Sequence, residues 1–200
     1  MSFDPRKETE MTTQDDKAWL DAYFNRYKVA AFEEEHYANL VAFRDLILKT
    51  RDSGNKLMFA GNGASASIAS HARVDFTKQG KCRSLDFNEP NLITAFANDY
   101  GFENFMAKAT EFFADDGDVL VLISVSGTSQ NCVEAAKYAR SRGMKVVSFT
   151  GKAADNPLRE LSDIGFWIDS AAYNIVECTH MLWICTVVDM VVGEAEYSVT

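Results

Sequence analysis

The apolar run Val119-Leu120-Val121-Leu122-Ile123, opened by Asp118, stops at Ser124-Val125-Ser126-Gly127-Thr128-Ser129, and a helical pattern follows from 130 to 142. A strand that feeds a helix through such a loop decides the fold class. Hydroxyl side chains and a glycine at the junction, beside the free backbone N–H groups of the helix start, form a cradle for a phosphate dianion. Ser124, Ser126, Thr128 and Ser129 are the candidate phosphate ligands. A chain built around this loop binds a phosphorylated small molecule.

Upstream, residues 56–60 form an apolar strand, Gly61-Asn62-Gly63-Ala64-Ser65 a second turn, and residues 65–78 a helix. Gly61 and Gly63 let the backbone turn sharply and approach a ligand, with Asn62 and Ser65 as polar partners. Read alone, either loop would also serve as an ordinary helix cap. Both lie beyond the carboxyl end of a strand, where open parallel sheets bind ligands.

Further strands read at 83–87, 146–150 and 164–168, and helices at 102–114, 156–161 and 174–192. Residues 92–98 suit either state. This alternation predicts an α/β fold, a doubly wound parallel five-stranded sheet flanked by helices. Helical spacing over Trp19, Leu20, Tyr23, Phe24 and Tyr27, and again from Tyr37 to Ile47, adds an N-terminal helical pair or one bent helix. Its apolar content exceeds one face's need, which favours packing on another copy of the chain; burial within the chain is the alternative. Residues 1–14 read as a tail, and 15–200 as a single domain.

With 200 residues, 47% apolar and 24% charged, the chain suffices for one α/β core. A net charge of −9 argues against a nucleic-acid partner, which needs excess Lys and Arg. Cys82, Cys132, Cys178 and Cys185 form no CxxC pair, and no leader pattern opens the chain, so a cytoplasmic location with reduced thiols is expected. No apolar run reaches the ~20 residues of a membrane span, and no membrane partner is expected. His36, beside the acidic run Glu33-Glu34-Glu35, reads as a surface residue.

The GNGAS loop at 61–65, the FANDYGF segment at 96–102, GDVLVLISVSGTSQN at 117–131 and GMKVVSFTGK at 143–152 resemble the sugar isomerase (SIS) domain. Within that group the chain is most similar to bacterial phosphoheptose isomerases, over about residues 19–192. The resemblance implies a homotetramer that isomerises sedoheptulose 7-phosphate to D-glycero-D-manno-heptose 7-phosphate for surface glycans. It places Asp99 on the sugar hydroxyls, with a turn or helix cap as the plain alternative for Asn98-Asp99.

Family members carry HxxxE after the glycine loop and QxxHxxxxH near the C-terminus, a set that often binds zinc. Here these positions hold His71, Asp75, Glu177, His180 and Cys185. His71 and Asp75, four apart, share a helix face. His71, Asp75, Glu177 and Cys185 are all competent zinc ligands, which leaves zinc open; the alternative makes Cys185 a small buried apolar residue. Asp75, His71 and Glu177 are the catalytic candidates, with Asp75 as base, and Glu177 also borders the sugar. His180 lies five positions from Cys185, roughly 140° around the helix, and reads as structural. Residues 169–174 border the cleft, with Asn174 a candidate helix cap. The altered set also permits a second reading: a sugar-phosphate-binding scaffold without turnover, as in the SIS protein that associates with the bacterial replication initiator.

Overall fold

Alternation fixes which way each strand faces. In the computed structural model, which describes residues 13–198, β1 (Lys56–Gly61) sends Leu57 and Phe59 into one apolar layer and Met58 and Ala60 into the other. β3 (Val119–Ser124) does the same with Val119, Val121 and Ile123 against Leu120 and Leu122. Every residue of both strands is buried, so helices must cover both faces. β2 (Arg83–Asp86), β4 (Lys145–Gly151) and β5 (Ile164–Ile168) complete a wholly parallel sheet in the order β2-β1-β3-β4-β5. The register sets Gly61 beside Ile123 and Ser124 beside Thr150. This is the doubly wound five-stranded sheet that the sequence predicts.

The layer with Phe43, Ile47, Phe76 and Trp183 is built by α2 (Tyr37–Asp52), α3 (Ala64–Lys78) and α8 (Tyr173–Val192). The opposite layer is built by α4 (Pro90–Tyr100), α5 (Phe105–Phe113), α6 (Gln130–Ser141) and α7 (Pro157–Glu160). Residues 92–98 are helical because Pro90 opens the first turn and the Glu89 carboxylate caps it, accepting the Leu92 N–H at 2.8 Å.

The N-terminal apolar residues form two helices, α1 (Thr13–Ala31) and α2, separated by a single 3-10 turn at Glu34–His36. Of the expected tail, residues 1–12 lie outside the described residues, and Thr13 already begins α1. His36 corrects the surface reading. It is buried with its ring 4.5 Å from that of Trp183, whose indole N–H donates to the Ala31 carbonyl at 3.0 Å. A turn between two helices brings the imidazole inward, which the adjacent acidic run concealed.

α8 is 20 residues long and, by length and composition alone, apolar enough to cross a bilayer. Half of its most apolar window is buried, and it packs on α1, α2, α3 and β4, as a core helix does.

His180 on α8 is fully buried and contacts the Thr150 carbonyl of β4 at 3.1 Å through Nε2. A carbonyl only accepts, so Nε2 carries the proton and Nδ1, which has no partner, stays bare. Burial pushes the imidazole down to about 4. The unfolded chain takes up this proton near pH 6.5 and the folded chain only near 4, so the contribution present above 6.5 is lost as pH falls through that window. Stability is expected to drop by about 3 kcal/mol from this group between those limits. Thermal unfolding against pH checks it, and His180→Leu should flatten that part of the profile.

Candidate active site

The chain leaves β1 towards β2 on one side and returns to β3 on the other. The loops beyond these two strands therefore diverge and open a crevice. At Gly61 an added Cβ would fall 2.8 Å from the backbone of Ser65, so the turn admits only glycine. That turn buries Ser65 at the mouth of α3, with its N–H on the Asn62 carbonyl at 3.1 Å.

The second loop is clamped from β4. Gly127 sits at φ +65°, and a Cβ there would lie 2.0 Å from Asn156 Oδ1. Asn156 is buried and cannot yield. Its amide donates to the Ala153 carbonyl at 2.8 Å and Thr150 Oγ1 at 3.2 Å, while its Oδ1 caps α7 by accepting the Arg159 N–H at 3.0 Å. The Leu158 N–H closes the clamp on the Gly127 carbonyl at 3.1 Å.

The loops are joined by a reciprocal amide pair: Asn62 Nδ2 donates to Asn131 Oδ1 and Asn131 Nδ2 to Asn62 Oδ1, each at 2.9 Å. Between them lies a cleft of about 130 Å³ lined by Asn62, Ser65, Ser124, Ser126, Ser129, Tyr173 and Glu177. Ser124 Oγ donates to Ser129 Oγ at 3.2 Å. Ser129 is the N-cap of α6 without a side-chain capping bond, so the Gln130 and Asn131 N–H groups remain available to an anion, while the Cys132 N–H is held by Asn131 Oδ1 at 3.0 Å. Thr128 does not line the cleft; it is exposed, with its hydroxyl on Ser126 Oγ at 3.0 Å. Two larger hollows, of about 430 and 380 Å³, lie against α1, α2 and α8 and lack this hydroxyl set.

The other predicted residues are placed as follows. Glu177 faces the cleft, one helical turn after Tyr173. His71 Nε2 lies 3.1 Å from Asp75 Oδ2 on α3. Asp75 is about 15 Å along α3 from Ser65, and Cys185 about 12 Å along α8 from Glu177, at the helical rise of ~1.5 Å per residue. Burial first, then the negative charges of Asp75 and Asp189, push the Cys185 thiol up. Among the described residues no three His, Cys, Asp or Glu side chains gather as a metal site. Of the four candidate zinc donors, His71 and Asp75 are paired and Glu177 lines the cleft. Asp99 is exposed in the last turn of α4, bonded to Asn98 at 2.9 Å, and does not line the cleft; the pair is helical rather than a turn. Ala172, not Asn174, is the N-cap of α8.

Two residues escaped the sequence reading. Asn131 is 2% exposed, and its signal was a polar amide one position into an apolar helix face. Asn156 read only as a helix opener, since its contact with Gly127 spans the whole β3–α6–β4 crossover.

The SIS domain family model matches residues 22–151. The chain belongs to the SIS domain family. It is 31% identical to the phosphoheptose isomerase of Geobacter sulfurreducens over 172 residues, covering 83% of this chain and 90% of that one. The phosphoheptose isomerase of Aliarcobacter butzleri is 31% identical over 153 residues, with 72% and 80% covered. The structure of phosphoheptose isomerase GmhA from Neisseria gonorrhoeae superimposes with a TM-score of 0.81 at 30% identity, covering 90% of this chain and 99% of that one. The expected SIS fold and its kinship with phosphoheptose isomerases are thereby established.

If the amide pair holds the two loops of this SIS domain as one unit, Asn62→Ala and Asn131→Ala should each weaken phosphate binding. The double variant should lose little beyond either, a coupling of about 1–2 kcal/mol in a double-mutant cycle. Additive losses in the titrations would mean that the loops act independently.

Proposed function

We propose that this chain is an aldose–ketose isomerase that converts sedoheptulose 7-phosphate into D-glycero-D-manno-heptose 7-phosphate, a precursor of surface glycans. The observation that carries the reading is the Ser124–Ser129 cradle with Glu177 facing it, in a chain whose relatives at 31% identity are phosphoheptose isomerases.

The reaction moves a proton from C1 of the ketose to C2 of the aldose through an enediol, which demands a base near both carbons. Asp75 is assigned that role. It takes the C1 proton and returns it at C2, while His71, 3.1 Å away, orients the carboxylate and moves the hydroxyl proton between O1 and O2. Glu177 accepts hydrogen bonds from sugar hydroxyls near the phosphate. The phosphate end thus sits in the cradle, and the reacting end lies further along α3. Asp75 reaches about 1.5 Å less than a glutamate would, and turnover should be slow for that reason.

Two finer assignments rest on the surface. Trp19 is 55% exposed and Phe24 57% on α1, and Phe32, Tyr37, Val41 and Leu182 rim the 380 Å³ apolar hollow. Such a surface supports assembly with other copies, a homotetramer in this reading. All four cysteines are free; burial pushes Cys132 up to about 12 and Cys82 to about 11, as suits reduced thiols in the cytoplasm.

Solvent deuterium is expected to enter C1 or C2 of sedoheptulose 7-phosphate on incubation with the protein. Asp75→Asn should abolish that exchange while leaving sugar binding intact. Binding without exchange by the unaltered protein would make it a sugar-phosphate-binding scaffold instead. For the assembly, light scattering should give a four-chain mass, and Trp19→Asp with Phe24→Asp a smaller one; a monomeric starting protein would refute it.

A further inference from the structure

The cleft holds hydroxyls, amides and one carboxylate, and no lysine or arginine lines it. A phosphate monoester brings about −1.5 to −2 charges at pH 7, and Glu177 adds another. Hydroxyls and a helix start offset part of this charge. A fixed cation would offset the rest.

Three cations border the neighbouring loops. Arg26 donates to Ser170 Oγ at 3.3 Å and lines the separate 430 Å³ hollow rather than the cleft. Arg159 donates to the Ala154 carbonyl at 2.8 Å and lies 5.2 Å over the Trp167 ring. Lys152 is different. It follows Gly151, the end of β4, whose N–H is bound to the Val125 carbonyl of the cradle at 2.9 Å. Its ammonium donates to the Tyr173 hydroxyl at 3.0 Å and sits 4.4 Å from that ring's centre. Tyr173 itself lines the cleft. The partner is a neutral phenol, and among the described residues no carboxylate lies within ion-pairing distance of this amine. The ring face favours a cation without neutralising it.

The backbone at Lys152 is left-handed, with φ +57°, a conformation that glycine adopts freely and lysine does not. It is held there by its own N–H on the Ser170 carbonyl at 3.0 Å and by the Trp167 indole N–H on its carbonyl at 3.2 Å.

We infer that Lys152, parked on Tyr173 at the rim of the cradle, is the cation that binds the phosphate end of the substrate. An ammonium has three N–H donors, so one can stay on Tyr173 while another meets a phosphate oxygen. The inference rests on the phosphosugar reading above.

The test is calorimetric titration of the full chain with sedoheptulose 7-phosphate and, separately, with inorganic phosphate. Lys152→Gly relieves the left-handed backbone, so its melting temperature should stay level or rise, yet both ligands should bind about tenfold more weakly. Lys152→Arg should recover most of that loss. In turnover, Lys152→Gly should raise KM by about the same factor with kcat within about twofold. Unchanged affinity in Lys152→Gly, or an arginine variant as weak as the glycine one, would overturn the role of Lys152 while leaving the phosphosugar reading in place. Starting protein that binds neither ligand would overturn both.

Discussion

Two hydrogen bonds of 2.9 Å between the side-chain amides of Asn62 and Asn131 tie the loop after β1 to the helix after β3. A doubly wound sheet opens a crevice at this place, because the two crossovers leave in opposite directions. Without a tie, the crevice would be a gap between independent loops. With it, Ser65 from one strand and Ser124, Ser126 and Ser129 from the other face one small volume. Asn131 is almost fully buried, so its amide must be satisfied within the protein, and only Asn62 offers both a donor and an acceptor in the required geometry. Gly127 adds the second constraint. It is pressed against Asn156, and the β4–α7 segment therefore holds the cradle from outside.

From this follows a division of labour along the cleft. On the proposed function, the phosphate end is the cleft of hydroxyls and amides beside Glu177. The reacting end is a His71–Asp75 pair, more open and two to three turns down α3, where the half-buried Cys185 lies close enough for the Asp75 charge to raise its thiol.

The sheet was legible because strand burial leaves a local mark: β3 is an unbroken apolar run, and the turn residues after it are few and specific. The cradle was legible for the same reason, as Ser124 to Ser129 are contiguous. What stayed hidden depends on partners distant in sequence. His36 is buried by Trp183, 147 positions away, and nothing near it announces that contact. Asn131 and Asn156 were unremarkable amides until the fold set them beside Asn62 and Gly127. Thr128 shows the converse: its local pattern fits a ligand role, but its hydroxyl turns to Ser126.

The central claim is that the cradle takes the phosphate and aims the sugar along α3. A crystal structure of the full chain with sedoheptulose 7-phosphate tests it directly. Phosphate oxygens are expected within hydrogen-bonding distance of Ser124, Ser126, Ser129 and the Gln130 and Asn131 N–H groups, with the C1 end directed towards Asp75. A phosphate seated instead in the 430 Å³ hollow between α1 and β5, or a sugar chain running away from α3, would contradict it.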